Sequence, residues 1–398
     1  MQKFTGLQYL KIDIASNFGL DKMDWDDRIA WVDEHEESLE AMLPQAAEPA
    51  LYHAGVQAYR KTQKSQPTGY PISLDAASSG LQILAALVGC KASASLCGVV
   101  STGHREDAYT LIYQAMCEGI GEATKIDRKD VKKAIMTALY NSTAMPKRIF
   151  GEGELLAMFY KTMAEMAPGA WELNKDFKGL WQADALSHDW VLPDNFHVHT
   201  PVMTPVTETV NFLNRPIPVT ITVNQGTKEG RALGPNIVHS IDGMIVREMY
   251  RRCTFDSNRI MEICEIVMVG AKGKRLKTDD DFMVQTLWEH YERTGFLSAR
   301  ILDHLRMDNA GLVDLAHIEK LLLSMPLKPF ELIAIHDCFR VHPNYGNDLR
   351  QQYNNLLAEI SESRLLSDIA SQIVGFHVEA EKKGTIGHLI READYALC

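Results

Sequence analysis

Apolar residues along the chain recur mostly at helical spacing, and in only a few places at the two-residue spacing of a strand. Over residues 1–70 the pattern is helical. Asp24 or Asp26 can cap a run through Arg28, Ile29, Trp31, Val32, Leu39 and Met42, with acids crowded into its first turns. A further helix is predicted after Pro44. The Gln-Pro-Thr-Gly-Tyr-Pro segment at 66–71 interrupts the pattern, and Ile72-Ser73-Leu74-Asp75 then reads as a short strand ending on an acid. Small residues fill a predicted helix at 79–90, and helical spacing returns at 106–120, 127–140 and 152–166. Prolines and β-branched residues from Pro193 to Asn224 predict strands and loops. Helices follow at 236–250, 279–307 and 315–324. Glu331 to His336 reads as a buried strand that again ends on an acid, Asp337, and helices fill 346–376. A few core strands among many helices predict an α+β or mixed class.

With 398 residues, the chain makes two or three domains or one large one, and it can bury a core without disulfides or structural metals. Hydrophobic residues at 46% and charged residues at 23% exclude general disorder. The net charge of −11 is not the simple picture of a nucleic-acid binder, although net charge hides local basic patches. Seven scattered cysteines form no CxxC pair, which argues against a zinc cluster and fits reduced thiols. The N-terminal residues show no apolar signal-peptide core, so none is expected. The longest apolar stretch, Ile83 to Cys90, is far too short to span a membrane.

Four groups of residues carry candidate chemistry. Asp75 and Asp337 each end a predicted strand. Two carboxylates brought together there suit Mg²⁺, a hard cation that takes oxygen ligands, while a single such Asp is also an ordinary turn residue. Arg128, Lys132, Met136 and Tyr140 follow one another at four-residue spacing, which stacks them on one helix face. Two cations and a phenol there can meet a triphosphate and its sugar; a solvated basic stripe has the same pattern. Ser79 and Gly80, small residues in Asp75-x-x-x-Ser79-Gly80-x-Gln82, allow a ligand or a packed helix close to the backbone. Finally, Pro235-Asn236-Ile237-Val238-His239-Ser240-Ile241-Asp242-Gly243 puts a His, a Ser and an Asp in one short stretch, which is no hydrolase triad by itself. No nucleophile elbow or Walker-type phosphate loop occurs.

In this order the pieces resemble the single-subunit, bacteriophage-type RNA polymerases, the family that includes the mitochondrial enzyme. Asp75 to Gln82 looks like its motif A, Arg128 to Tyr140 like motif B, and His336-Asp337-Cys338-Phe339 like motif C. Trp190 to Phe196 and Pro235 to Gly243 are similar to segments between B and C. Lys11, Ile14, Ala15, Asn17, Asp21, Lys22 and Arg28 are similar to helices upstream of motif A, and Lys383 to Cys398 to the C-terminal foot. The resemblance implies a right-hand palm, built on a small antiparallel sheet with helices, and an inserted, mostly helical fingers domain. Palm segments are expected at 1–85 and 244–398, the second with an insertion at about 254–330, and fingers at 86–243.

The resemblance also implies roles. Asp75, Asp337 and the Ala76 carbonyl would hold two Mg²⁺ ions. Arg128 and Lys132 would bind the incoming triphosphate, and Tyr140 would sit at its sugar. His239 and His336 would lie near the RNA end or the nucleotide, beside Ser79 and Gly80, and Tyr109 matches a fingers tyrosine. The implied reaction is template-directed addition of ribonucleotides to an RNA 3′-hydroxyl, with DNA template, nascent RNA and ribonucleoside triphosphates as partners, in the cytoplasm of an infected bacterial host and with no membrane. A DNA polymerase of the same superfamily and a catalytically inactive scaffold subunit are the alternatives; small Ser79-Gly80 before Leu81-Gln82 favours ribonucleotides. The thumb, the N-terminal promoter domain and an early palm segment with a D-x-R-G-R signature have no counterpart. They are expected from a second polypeptide, as in a split, heterodimeric phage polymerase. Asn141 and Arg340 stand where the family usually has Gly, and Cys338 where it has Ser. The basic run Gly270 to Lys277, inside the insertion, can touch DNA, dock the partner or be plain surface.

Overall fold

A computed structural model of the chain describes residues 1–120, 126–272 and 278–398. Helices dominate, and the strands fall into small antiparallel sheets: β1 (Ile72–Asp75), β2 (Ser187–Val191), β3 (His197–Pro201), β4 (Met203–Phe212), β5 (Arg215–Asn224), β6 (Leu332–Ile335) and β7 (Cys338–Val341). The class is α+β. One sheet has three strands in the order β1-β7-β6, and β2-β3 and β4-β5 are separate hairpins.

The three-stranded sheet organises the molecule. Strand β7 pairs with β1, setting Asp75 opposite Cys338 and Ser73 opposite Arg340, and with β6, setting Ile335 opposite Cys338. Directly opposed residues share a face. One face therefore carries Ile72, Leu74, Leu332, Phe339 and Val341, all buried in the main core. The other carries Ser73, Asp75, Cys338, Arg340, Ile333 and Ile335 and is largely open. The β6–β7 connection has only two residues, His336 and Asp337, and His336 takes a left-handed conformation (φ 57°), as tight hairpin turns require.

Behind the buried face lies the Ser79–Val88 helix, whose residues from Gly80 onward are all buried. It packs on the Gly346–Glu362, Leu233–Cys253 and Pro168–Gly179 helices. Such all-round burial explains its composition of Leu, Ile, Ala and Gly, with no charged residue. A second, smaller core is built from Ile263, Val284, Leu287, Ile301, Ile318 and neighbours, all within the expected insertion. A third gathers Ile14, Val32, Leu39, Tyr52 and Tyr59 from the N-terminal helices.

The long Leu233–Cys253 helix is fixed by charge as well as packing. Fully buried Asp194 accepts from Arg247 Nε (2.6 Å) and Arg251 Nη1 (3.0 Å). Buried Arg252 donates to Glu359, and buried Glu248 accepts from the backbone N–H of Ala299 (2.9 Å). These bonds tie the C-terminal half of the helix to the β2–β3 turn, to the Gly346–Glu362 helix and to Ala299, while His239 and Asp242 lie toward its other end.

Several elements depart from the sequence pattern. The expected helix at 279–307 ends at Thr294, where Gly295 (φ 76°) supplies a left-handed cap, and a short Ile301–His304 helix follows. Helices Pro168–Gly179 and Ser257–Val269 and strand β7 were not foreseen, and β2 begins before Pro193. The basic run continues into residues 273–277, which lie outside the described residues.

Candidate functional site

Asp75 and Asp337 are 262 residues apart in sequence and neighbours in the fold. Asp75 ends β1, Asp337 occupies the β6–β7 turn, and the Ala76 N–H donates to the Asp337 carbonyl at 3.2 Å. The other edge of β1 is closed by residue 398. Cys398 N–H donates to the Asp75 carbonyl (2.9 Å) and Asp75 N–H to the Cys398 carbonyl (3.2 Å). Both strand edges at Asp75 are thus hydrogen-bonded, so the backbone holding its carboxylate is fixed.

The two carboxylates share one charged environment. Asp75 lines the cleft, exposed to it yet partly buried against the neighbouring protein. That burial, followed by the charge of Asp337, pushes its pKa up to about 6. Burial and the charge of Asp337 also push Asp242 up to about 6, while His336 opposes the shift. Among the described residues no group of three or more His, Cys, Asp or Glu is arranged to hold a metal. What the chain offers is a sparse set of oxygens from two carboxylates and the neighbouring carbonyls. A hard cation that keeps its waters and takes one or two carboxylates fits that set, and a soft one does not. The adjacent Cys338 thiol is pushed up to about 11 by burial and then by Asp75, so it stays protonated and provides no thiolate.

A cavity of about 300 Å³ opens beside Asp75 and Asp337. Ala76 to Gly80 form one wall, and Tyr109, Lys132, Met136 and Tyr140 form the other. The first residues of the Ser79–Val88 helix line this space, and no side chain caps their backbone N–H groups. Lys132 Nζ sits 5.0 Å over the Tyr109 ring, and the Tyr109 hydroxyl lies 3.1 Å from Ser78 Oγ. Tyr140 leans on the exposed His239 ring, with centroids 5.0 Å apart. A Cβ on Gly80 would stand 3.2 Å from the Tyr140 hydroxyl, so Gly there lets the phenol approach the motif A backbone.

Most residues singled out from the sequence therefore meet here. Asp75, Ala76, Ser79, Gly80, Tyr109, Lys132, Tyr140 and Asp337 line the cavity, and His239 touches it through Tyr140. His336 is exposed in the turn next to Asp337. Arg128 stands apart: Nε donates to Thr110 Oγ1 (2.8 Å), and the guanidinium is paired with Asp107. The one-face reading of residues 128–140 holds for Lys132 and Met136, but the helix ends at Ala138 and Tyr140 lies in the turn beyond it. Asn141 explains its own departure from Gly, since it sits at φ 61°, a conformation that Asn tolerates better than other side chains. Asp242 was noted only as part of a motif. Its spacing of three residues from His239, one turn of helix, was the available signal.

Residues 3–166 match the sequence profile of the family described as DNA-dependent RNA polymerase. The chain is also similar to a DNA-directed RNA polymerase of Pseudomonas phage phiKMV, 28% identical over 173 residues, a match that covers 35% of this chain and 21% of that protein. The chain thus aligns with about a fifth of that relative's length. The profile match includes Asp75, Lys132 and Tyr140 and stops before His239 and Asp337, which the fold brings to the same cleft. Over residues 3–166, less than half of its length, the chain is therefore similar to the DNA-dependent RNA polymerase family.

Proposed function

We propose that this chain carries the catalytic centre of a DNA-directed RNA polymerase, which adds ribonucleotides to an RNA 3′-hydroxyl on a DNA template and releases pyrophosphate. The observation that carries the reading is the juxtaposition of Asp75 and Asp337 at the floor of a cavity walled by Lys132 and Tyr140.

Asp75, Asp337 and the Ala76 carbonyl would hold two Mg²⁺ ions, which when bound supply Lewis acidity for the attacking hydroxyl and neutralise charge on the leaving pyrophosphate. The side chains do the positioning. Lys132 presents a mobile point charge to the triphosphate, and the Ser79–Val88 helix end adds N–H donors. Tyr140, close against Gly80, would meet the sugar and favour a ribose hydroxyl. His239 backs the phenol and lies on the path to the RNA end. In this reading Arg128 leaves Asp107 for the triphosphate when a nucleotide enters, as the fingers close.

The division we propose follows the motifs: palm at 1–85 and 244–398, fingers at 86–243, and an insertion at about 254–330 supported by its own apolar core. We also propose a second polypeptide that supplies thumb, promoter domain and early palm. The exposed apolar ribbon β4–β5 is a surface such a partner would cover. The setting would be the cytoplasm of an infected bacterium.

The test is primer extension. The chain, purified with whatever accompanies it in its natural host, is given an RNA primer on a DNA template with Mg²⁺ and either NTPs or dNTPs. Extension with NTPs that disappears in Asp337→Asn supports the reading. Extension with dNTPs instead gives a DNA polymerase, and template binding without any extension gives a scaffold subunit.

A further inference from the structure

Arg340 stands on the open face of the three-stranded sheet, the face that carries Asp75. It lies opposite Ser73 on one side and Ile333 on the other, one row away from Asp75, Cys338 and Ile335. Along a strand, two residues span about 7 Å, so the guanidinium originates that far from the row of the aspartate. Its backbone is ordinary strand, and nothing in the conformation requires the glycine that the resemblance leads one to expect.

The charge of Arg340 is uncommitted. Among the described residues it makes no hydrogen bond and no ion pair, and its Nε is buried without a partner. The nearby acid is Asp13, and Asp13 is engaged elsewhere. It accepts from Tyr70 Oη (2.8 Å), from the Ser73 N–H (2.9 Å) and from Asn17 Nδ2 (2.9 Å). Arg340 reaches Asp13 and Tyr70 only through its field. A half-buried guanidinium left without an acceptor is costly, and an arriving anion would relieve that cost.

The surroundings narrow the anion. Ile333 and Ile335, 51% and 53% exposed, flank Arg340 and Cys338 on the same face. They offer apolar surface to a sugar edge and no competing charge. The face leads directly to Asp75, where the proposed reaction places the 3′ end of the product strand.

We propose that Arg340 binds a backbone phosphate of the product RNA strand close to its 3′ end, and so holds the strand in register with Asp75 and Asp337. This rests on the polymerase reading above. The contact is with phosphate, so it is blind to sequence and sensitive to salt.

The experiment measures binding of an RNA–DNA hybrid by the purified complex against KCl concentration, for wild type, Arg340→Gln and Arg340→Lys, with single-nucleotide extension followed in parallel. Losing one phosphate contact should flatten the slope of log K against log salt by roughly 0.7–0.9 in Arg340→Gln. Between 50 and 200 mM salt the wild-type affinity should then fall about threefold more than that of the variant. Arg340→Lys keeps the wild-type slope, and both variants keep the wild-type unfolding midpoint. If wild type extends the primer and Arg340→Gln has the same slope, Arg340 does not contact the strand. If both variants lose stability or release a co-purifying polypeptide, the residue serves the fold or an interface, and the assignment fails. If wild type neither binds nor extends the hybrid, the polymerase reading falls and this assignment with it.

Discussion

The Tyr140 hydroxyl would stand 3.2 Å from a Cβ at residue 80, so the phenol and the motif A backbone meet only because residue 80 is Gly. Gly80→Ala forces one of them to yield by a few tenths of an ångström. The expected result is a rise of severalfold in the KM for NTPs, with the unfolding midpoint nearly unchanged. Tyr140→Phe should cut discrimination between NTP and dNTP by about tenfold, the worth of one hydrogen bond to the sugar hydroxyl. Competitive incorporation assays read both.

Asp75→Asn and Asp337→Asn should each reduce extension on the order of a thousandfold or more while hybrid binding persists. Neither should destabilise the fold. Each removes repulsion from a pair of acids that crowd one another, so thermal unfolding should stay level or rise.

The acidity of Asp75 sets a pH dependence. Burial and the charge of Asp337 raise its pKa to about 6, so below that pH the carboxyl holds a proton and cannot take a cation. Mg²⁺ dependence measured at several pH values should show weaker apparent Mg²⁺ affinity as pH falls through about 6, with a plateau above about 7. Asp75→Asn should abolish this dependence.

Lys132 and Arg128 should separate by experiment. Lys132 faces the cavity and packs on Tyr109, so Lys132→Met should raise the KM for NTPs tenfold or more with little change in unfolding. Arg128 neutralises the half-buried Asp107. Arg128→Met should therefore raise the KM and also lower stability by roughly 1 kcal/mol, because Asp107 loses its nearest cation and keeps only Thr110, the Tyr109 N–H and the more distant Lys22. Substrate kinetics and denaturant melts on the same preparations make the comparison.

Asp13 gives a stability signature of opposite sign to a paired acid. Burial raises its pKa to about 6 against an ordinary value near 3.8, so the folded state holds the proton more tightly. That contribution is complete below about pH 4 and is lost as pH rises through 6, at a cost of about 3 kcal/mol by neutral pH. The stability of wild type relative to Asp13→Asn should thus decline between pH 4 and 7. Urea unfolding at half-unit pH steps tests this.

Much of the site could be read from the chain because its residues sit at regular local positions. The strand Ile72–Asp75 alternates buried and open residues, and Lys132 and Met136 follow helical spacing. Other parts depend on contacts that leave little local trace. Strand β7 has four residues directly after a turn, too short to announce itself, yet it forms the middle of the sheet. The Pro168–Gly179 helix begins on a proline, which punctuates an irregular chain as readily as it opens a helix. Arg128 matched a motif, but its partner Asp107 comes from the start of a different helix, and only the fold shows the two together. Hairpin β4–β5 turns at Leu213-Asn214, both at positive φ, where Leu is an unusual occupant and gives no turn signal.

The pairing of Cys398 with Asp75 has a consequence for synthesis. The ribosome makes residue 398 more than three hundred residues after Asp75, and until then one edge of the aspartate strand has no hydrogen-bonding partner. The other edge waits for β7, which also arrives late. A nascent chain therefore carries Asp75 unassembled while the residues up to β7 are made. Fragments that end before β7 would hold the Asp75 strand without the strand that pairs with it and without Asp337.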